Sequence, residues 1–140
     1  MNIRLLALAS LILNLGACSQ TLERTPPADD LAARALEIAQ SSIIVDTHID
    51  APVRLQYKPD DISVATHSGD FDYPRAIAGG LNAPFMSIYT SASLEAENRS
   101  FATAEMLIDM VEGFVAASPD KFAIARSPAD VRDHFERGLV

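Results

Sequence analysis

"SIIVDTHIDAP", residues 42–52, runs from a β-branched block into a histidine, an acid and a proline. Ile43, Ile44 and Val45 form the continuous apolar run of a strand buried on both faces. Strand side chains alternate, so residues two apart share a side. His48 and Asp50 therefore converge, while Thr47 and Ile49 face away. An imidazole and a carboxylate meeting at one point suit a bound metal ion. They equally suit an ordinary polar strand end, so the flanking sequence must decide between the two.

Upstream, "DDLAARALEIAQSS" predicts a helix capped by Asp29 or Asp30, with Leu31, Ala35, Leu36 and Ile38 on its apolar side. Downstream, residues 52–78 hold Pro52, Pro59, Pro74 and many acids, and read as a long irregular loop. Loops leaving the end of a buried strand are often functional. Gly79-Gly80 forms a turn into a second strand, "LNAPFMSIYT". From about Leu94 to Ala117 the pattern is helical. Phe101, Ala104, Ile108, Val111 and Val115 make a core stripe widened by Leu107 and Phe114, with Glu105, Asp109 and Glu112 opposite. A short third strand, Phe122 to Ala125, follows. "SPADVRDHFERG" is a helix with Ser127 as N-cap, Pro128 at its first position and Gly138 as its stop.

Strands alternating with helices place the chain in the α/β class with a parallel sheet. Ligands in such sheets sit at the carboxyl ends of the strands, which is where His48 and Asp50 fall. There is no Gly-rich phosphate loop and no internal repeat.

The N-terminus carries a different message. Arg4 and the apolar "LLALASLILNL" form the first two regions of an export signal, too short for the ~20 residues of a spanning helix. "LGAC" at 15–18 resembles the lipobox of bacterial lipoproteins, in which the cysteine is lipidated and becomes the new N-terminus. The competing reading is a plain secretory signal with an incidental cysteine. Cys18 is the sole cysteine, so no intrachain disulfide can form. The expected organisation is a signal peptide at 1–17, lipidated Cys18 with a polar tether to residue 30, and a folded part from 31 to 140. Ser19 after the cysteine points to the outer membrane, facing the periplasm of a bacterial envelope. Loss of Arg4 with the leader takes the net charge from −8 to −9. That acidity argues against a nucleic-acid partner, which requires clustered Lys and Arg.

"VDTHIDAP", a loop, and then "RAIAGGLNAPFMSIYT" resemble the N-terminal part of the membrane dipeptidases, the renal-dipeptidase-type peptidases. The shared features are Asp-x-His-x-Asp on the first strand and a Gly-Gly leading into a Phe-x-Ser-x-Tyr strand. "SPDKFAIARSPADVRDHFERG" fits as well, and the likeness spans roughly residues 43–140. The resemblance implies a (β/α)8 TIM-like metallo-hydrolase barrel with two zinc ions, hydrolysing dipeptides through a metal-bridging hydroxide. It makes His48 and Asp50 ligands of the first zinc, in keeping with the affinity of imidazole and carboxylate for that metal. It also implies a homodimer for the complete enzyme.

Such a barrel takes ~250 residues, and 123 remain of 140 once 17 are removed. The expectation is therefore the N-terminal portion of the barrel, incomplete in this chain. It stops before the strand that carries the family's bridging glutamate, with the later histidines also absent. On this reading no catalytic residue lies within the fragment, which by itself binds zinc weakly and lacks peptidase activity. An open sheet would also leave it poorly soluble or partly molten. The alternative is a non-catalytic, lipid-anchored module or decayed remnant. Other barrel amidohydrolases commonly carry His-x-His at this strand, and Asp50 counts against them.

The remaining candidates have plainer readings. Asp46 caps or orients a neighbour, with a supporting role behind the metal ligands as its functional alternative. His67 sits in a solvated loop, and His134 lies on a charged helix face. Asp60, Asp61, Asp70 and Asp72 lack the spacing of a calcium loop and read as solvated acids. Tyr89 either lines the site or packs in the core.

Overall fold

The computed structural model describes residues 27–140. The signal peptide, Cys18 and most of the tether lie outside the described residues. The elements are α1 (Ala28–Ser41), β1 (Ile44–Ile49), α2 (Ala51–Tyr57), α3 (Tyr73–Gly79), β2 (Leu81–Met86), α4 (Ser93–Ala96), α5 (Ser100–Ala117) and α6 (Pro128–Glu136). β1 and β2 pair in parallel as a two-stranded sheet, so the fold is α/β as expected.

The pairing is irregular at two places. Ile44 faces Leu81 and Val45 faces Ala83, which leaves Asn82 as an extra residue in β2. Its side chain takes over part of the ladder: Asn82 Oδ1 accepts from the Ile44 amide at 2.9 Å, and Nδ2 donates to the Gly80 carbonyl at 3.0 Å. Asp46 then faces Pro84 and Ile49 faces Met86, so β1 carries one extra residue at Thr47–His48. That second bulge lies at the carboxyl end of β1, immediately before Asp50.

The region expected as an irregular loop contains two helices. Pro52 and Pro74 begin them rather than prevent them, because a proline in the first turn has no intrahelical partner to lose. Asp72 caps α3, accepting from the Arg75 amide at 2.9 Å. Gly80 ends α3 in the left-handed region, φ +80, and a Cβ there would lie 2.6 Å from the Ala39 carbonyl oxygen. Glycine is thus required twice at this corner, by conformation and by the close approach of α1. Gln40 completes the junction, donating to the Ile77 and Ala78 carbonyls.

Two expected apolar faces are placed differently. α1 buries none of its residues, and Leu31, Leu36 and Ile38 are exposed; its N-cap is Pro27, so Asp29 and Asp30 stand in the first turn and do not cap it. The long helix breaks at Asn98, a left-handed residue (φ 52) that separates α4 from α5. α5 buries Thr103 and Leu107 and packs Met110, Phe114 and Val115 on the core, whereas Phe101 is 77% exposed and Ile108 is exposed. The helix is apolar around much of its circumference, so its spacing admits two stripes, and packing takes the one through Leu107.

Phe122–Ala125 forms no extended strand. The Val140 amide instead donates to Lys121 O at 2.9 Å, and the Ala123 amide donates to Val140 O at 3.1 Å. This is the hydrogen-bond pattern of one parallel bridge, centred on Phe122 and Val140. Between them runs α6, capped by Ser127, which accepts from the Asp130 amide, and followed by left-handed Gly138. Phe122 and Val140 join Ala51, Leu55, Ile62, Phe71 and Ala76 in the core. Tyr73 and Phe114 meet the Phe122 ring edge-on, with centroids 5.6 and 5.4 Å away.

Candidate metal centre at the carboxyl end of β1

Three backbone features build the site. Asp46, still in regular register, turns its carboxylate back to accept the His48 amide at 2.9 Å. The bulge at Thr47–His48 follows, so alternation along an ideal strand does not by itself place His48. Asp50 is no longer strand: it is the N-cap of α2, at φ −85 and ψ 22, and its side chain makes no cap hydrogen bond. An N-cap aspartate ordinarily accepts from the second or third helical amide. Here Pro52 holds the second position and has no amide to offer. The carboxylate faces His48 instead, with Nε2 and Oδ1 3.1 Å apart.

The convergence expected of His48 and Asp50 is therefore present, reached through a bulge and a helix start. Both side chains are open to solvent, 67% and 63% exposed. The 3.1 Å separation is that of a hydrogen bond, and the imidazole nitrogen and carboxylate oxygen that make it are donor types that would suit zinc. Among the described residues no third His, Cys, Asp or Glu joins them closely enough to make a metal cluster. His67 is exposed in the loop after α2, and His134 is half-buried on α6. Tyr89 is 56% exposed and is not a core residue.

Residues 32–140 match the family model of the membrane dipeptidases, peptidase family M19. The chain belongs to the membrane dipeptidase family. Membership places it among peptide hydrolases, and no curated protein matches it.

The loop between α2 and α3 is held by residues whose importance the sequence did not announce. Asp72 is 1% exposed and does not behave as a solvated acid. Its carboxylate accepts from the Thr66 amide and hydroxyl and from the Arg75 amide and Nε, at 2.9 to 3.1 Å. The Arg75 side chain, ahead of the Thr66 amide, holds this carboxyl well below the usual carboxylate range, against the opposing effect of burial. Arg75 also donates to the Gly69 carbonyl and to the Thr66 hydroxyl, closing residues 66–75 into a clasp. The signal for it is Asp72 followed by Pro74, an acid N-cap before a first-turn proline.

Arg54 on α2 lies beneath the same loop. Its Nη1 is 3.5 Å from Asp60 Oδ2, and both terminal nitrogens are buried without a hydrogen-bond partner among the described residues. Gly69 (φ +81) lies against this guanidinium so closely that a Cβ would stand 2.5 Å from Nε. Two clefts of about 270 and 280 Å³ are lined by Tyr73, Asn82 and Phe135 and by Leu55, Met106 and Phe114 respectively; neither includes His48 or Asp50.

Proposed function

We infer that this chain serves zinc-dependent hydrolysis of dipeptides, with His48 Nε2 and the Asp50 carboxylate holding the first of two zinc ions in a (β/α)8 barrel. The observation that carries this is the 3.1 Å pair at the carboxyl end of a strand in a parallel α/β sheet, in a chain of the dipeptidase family. Zinc at such a site supplies a water of lowered pKa and polarises the scissile carbonyl. The chain's own residues hold and orient. His48 presents an imidazole nitrogen and Asp50 a carboxylate oxygen, 3.1 Å apart. The envelope location rests on the order of n-region, apolar stretch and "LGAC" before Cys18.

A catalytic zinc ordinarily has three protein ligands and a water. Two donors hold the metal weakly, and the 140-residue chain alone is inactive. Zinc titration followed by NMR of the histidine rings tests the site. His48 should respond at high zinc and Asp50→Ala should abolish the response, with no dipeptide cleaved. An unresponsive His48 would leave a non-catalytic lipoprotein module. Zinc-dependent cleavage by this chain would refute the inactivity. Intact mass of the envelope-extracted protein reads the anchor: a diacylglyceryl group on Cys18 supports it, and a bare thiol overturns it.

A further inference from the structure

The geometry points to Asp46 as the positioning residue of the metal pair: its carboxylate, by accepting the His48 amide inside the β1 bulge, aims the His48 ring at Asp50. This rests on the reading of His48 and Asp50 as metal donors. In the bulge β1 spends three steps, Asp46 to Ile49, where β2 spends two, Pro84 to Met86. An extra residue disturbs the ladder and leaves a backbone amide needing another acceptor. The Asp46 side chain supplies it, two residues back, in an Asx-type closure.

Bulges near active sites re-aim side chains, and this one changes the outcome of alternation. In an unbroken strand, positions 46, 48 and 50 would all project to one side. Here the Asp46 Oδ1 is turned onto the backbone. The pair that remains face to face is His48 Nε2 and Asp50 Oδ1. The Asp46 carboxylate bonds the His48 amide and not the pairing atoms, and so acts through the backbone of the residue between. The essential property is an acceptor atom at that reach, and the charge on it is incidental. Asparagine should therefore serve, whereas alanine should not.

The test uses the full chain and two readouts. Without metal, the His48 Nε2 resonance reports the Asp50 contact as the change caused by Asp50→Ala. That change should persist in Asp46→Asn and vanish in Asp46→Ala, where the His48 amide should also exchange about tenfold faster. With zinc, Asp46→Ala should weaken binding at His48 by at least about tenfold, with Asp46→Asn within about threefold of the parent. Thermal melts report folding; should Asp46→Ala fail to fold, Asp46→Gln, which moves the acceptor one carbon outward, replaces it. An intact Asp50 response in Asp46→Ala overturns the proposal, and so does equal loss in Asp46→Asn, which would make charge the cause. Zinc that leaves the parent's His48 unmoved removes the metal reading, while the metal-free readout still decides the role of Asp46.

Discussion

Asp72 shows how much one buried carboxylate can organise. It accepts four hydrogen bonds from Thr66 and Arg75 and is nearly inaccessible, so Asp72→Ala strands the polar groups that surround it. Arg75 keeps partial access to solvent, which softens the loss, and a cost of about 2–4 kcal/mol in urea unfolding is expected. The pH dependence has a definite sign. The folded-state pKa lies below the ordinary value of 3.8, so this stabilisation is complete above that value. It drains away as pH falls below 3.8 toward the folded pKa. Asp72→Asn should be less stable at neutral pH and should flatten the acid limb of a stability–pH curve; an unchanged limb would count against the clasp. The sequence brought His48 and Asp50 together by strand alternation, whereas the fold does so through a bulge and a helix start that spacing does not reveal. Asp72 was legible at most as a helix cap before Pro74; its burial was not, since an acid among prolines and glycines looks the same whether its partners are waters or Thr66 and Arg75. Arg54 escaped for a related reason: its neighbours Asp60 and Gly69 are brought to it only by the fold of the loop.

At the scale of elements, α1, β1, β2 and α6 were readable, although the N-cap of α1 is Pro27 and not Asp29 or Asp30, and β2 ends at Met86, short of Thr90. Ser127 with Pro128 and Gly138 bracket α6, and Gly80 closes α3 before β2. The errors share a physical origin. Pro52 and Pro74 stop a helix in its interior yet start one at its first turn, and composition does not distinguish the two. α5 offered two apolar stripes, and only contact with Leu55, Phe122 and their neighbours picks the one through Leu107 and Phe114. The third strand was recognisable as an apolar run, but strands exist by pairing. Its extent is one bridge to Val140. The expected Phe122 segment is thus in place within the core without forming a ladder. The bulges in β1 and β2 were invisible for the same reason, since a register shift belongs to two strands together.

Across the whole molecule, the core gathers between α2, α3, α5 and the Phe122 segment, leaving large apolar side chains outside it. Phe85 on β2 is 62% exposed, Phe101 on α5 more so, and Val45 and the aliphatic residues of α1 are open to solvent. Exposure of this many large apolar side chains favours association. The isolated chain should bind a fluorescent hydrophobic dye in its folded state and scatter light increasingly with concentration. A dye-silent monomer at all concentrations would show these faces to be covered in solution. Its acidity, −8 over the full sequence, opposes that association at low salt and does so less as salt screens it. No helix among the described residues is long and apolar enough to cross a membrane.

The contact of Gly69 with Arg54 has an evolutionary consequence. Any side chain at 69 would occupy space already filled by the guanidinium, and the backbone there is left-handed as well. A change at position 69 is therefore coupled to position 54: the Arg54 side chain must move aside, and only residues that tolerate a left-handed backbone, asparagine and aspartate foremost, can follow at 69.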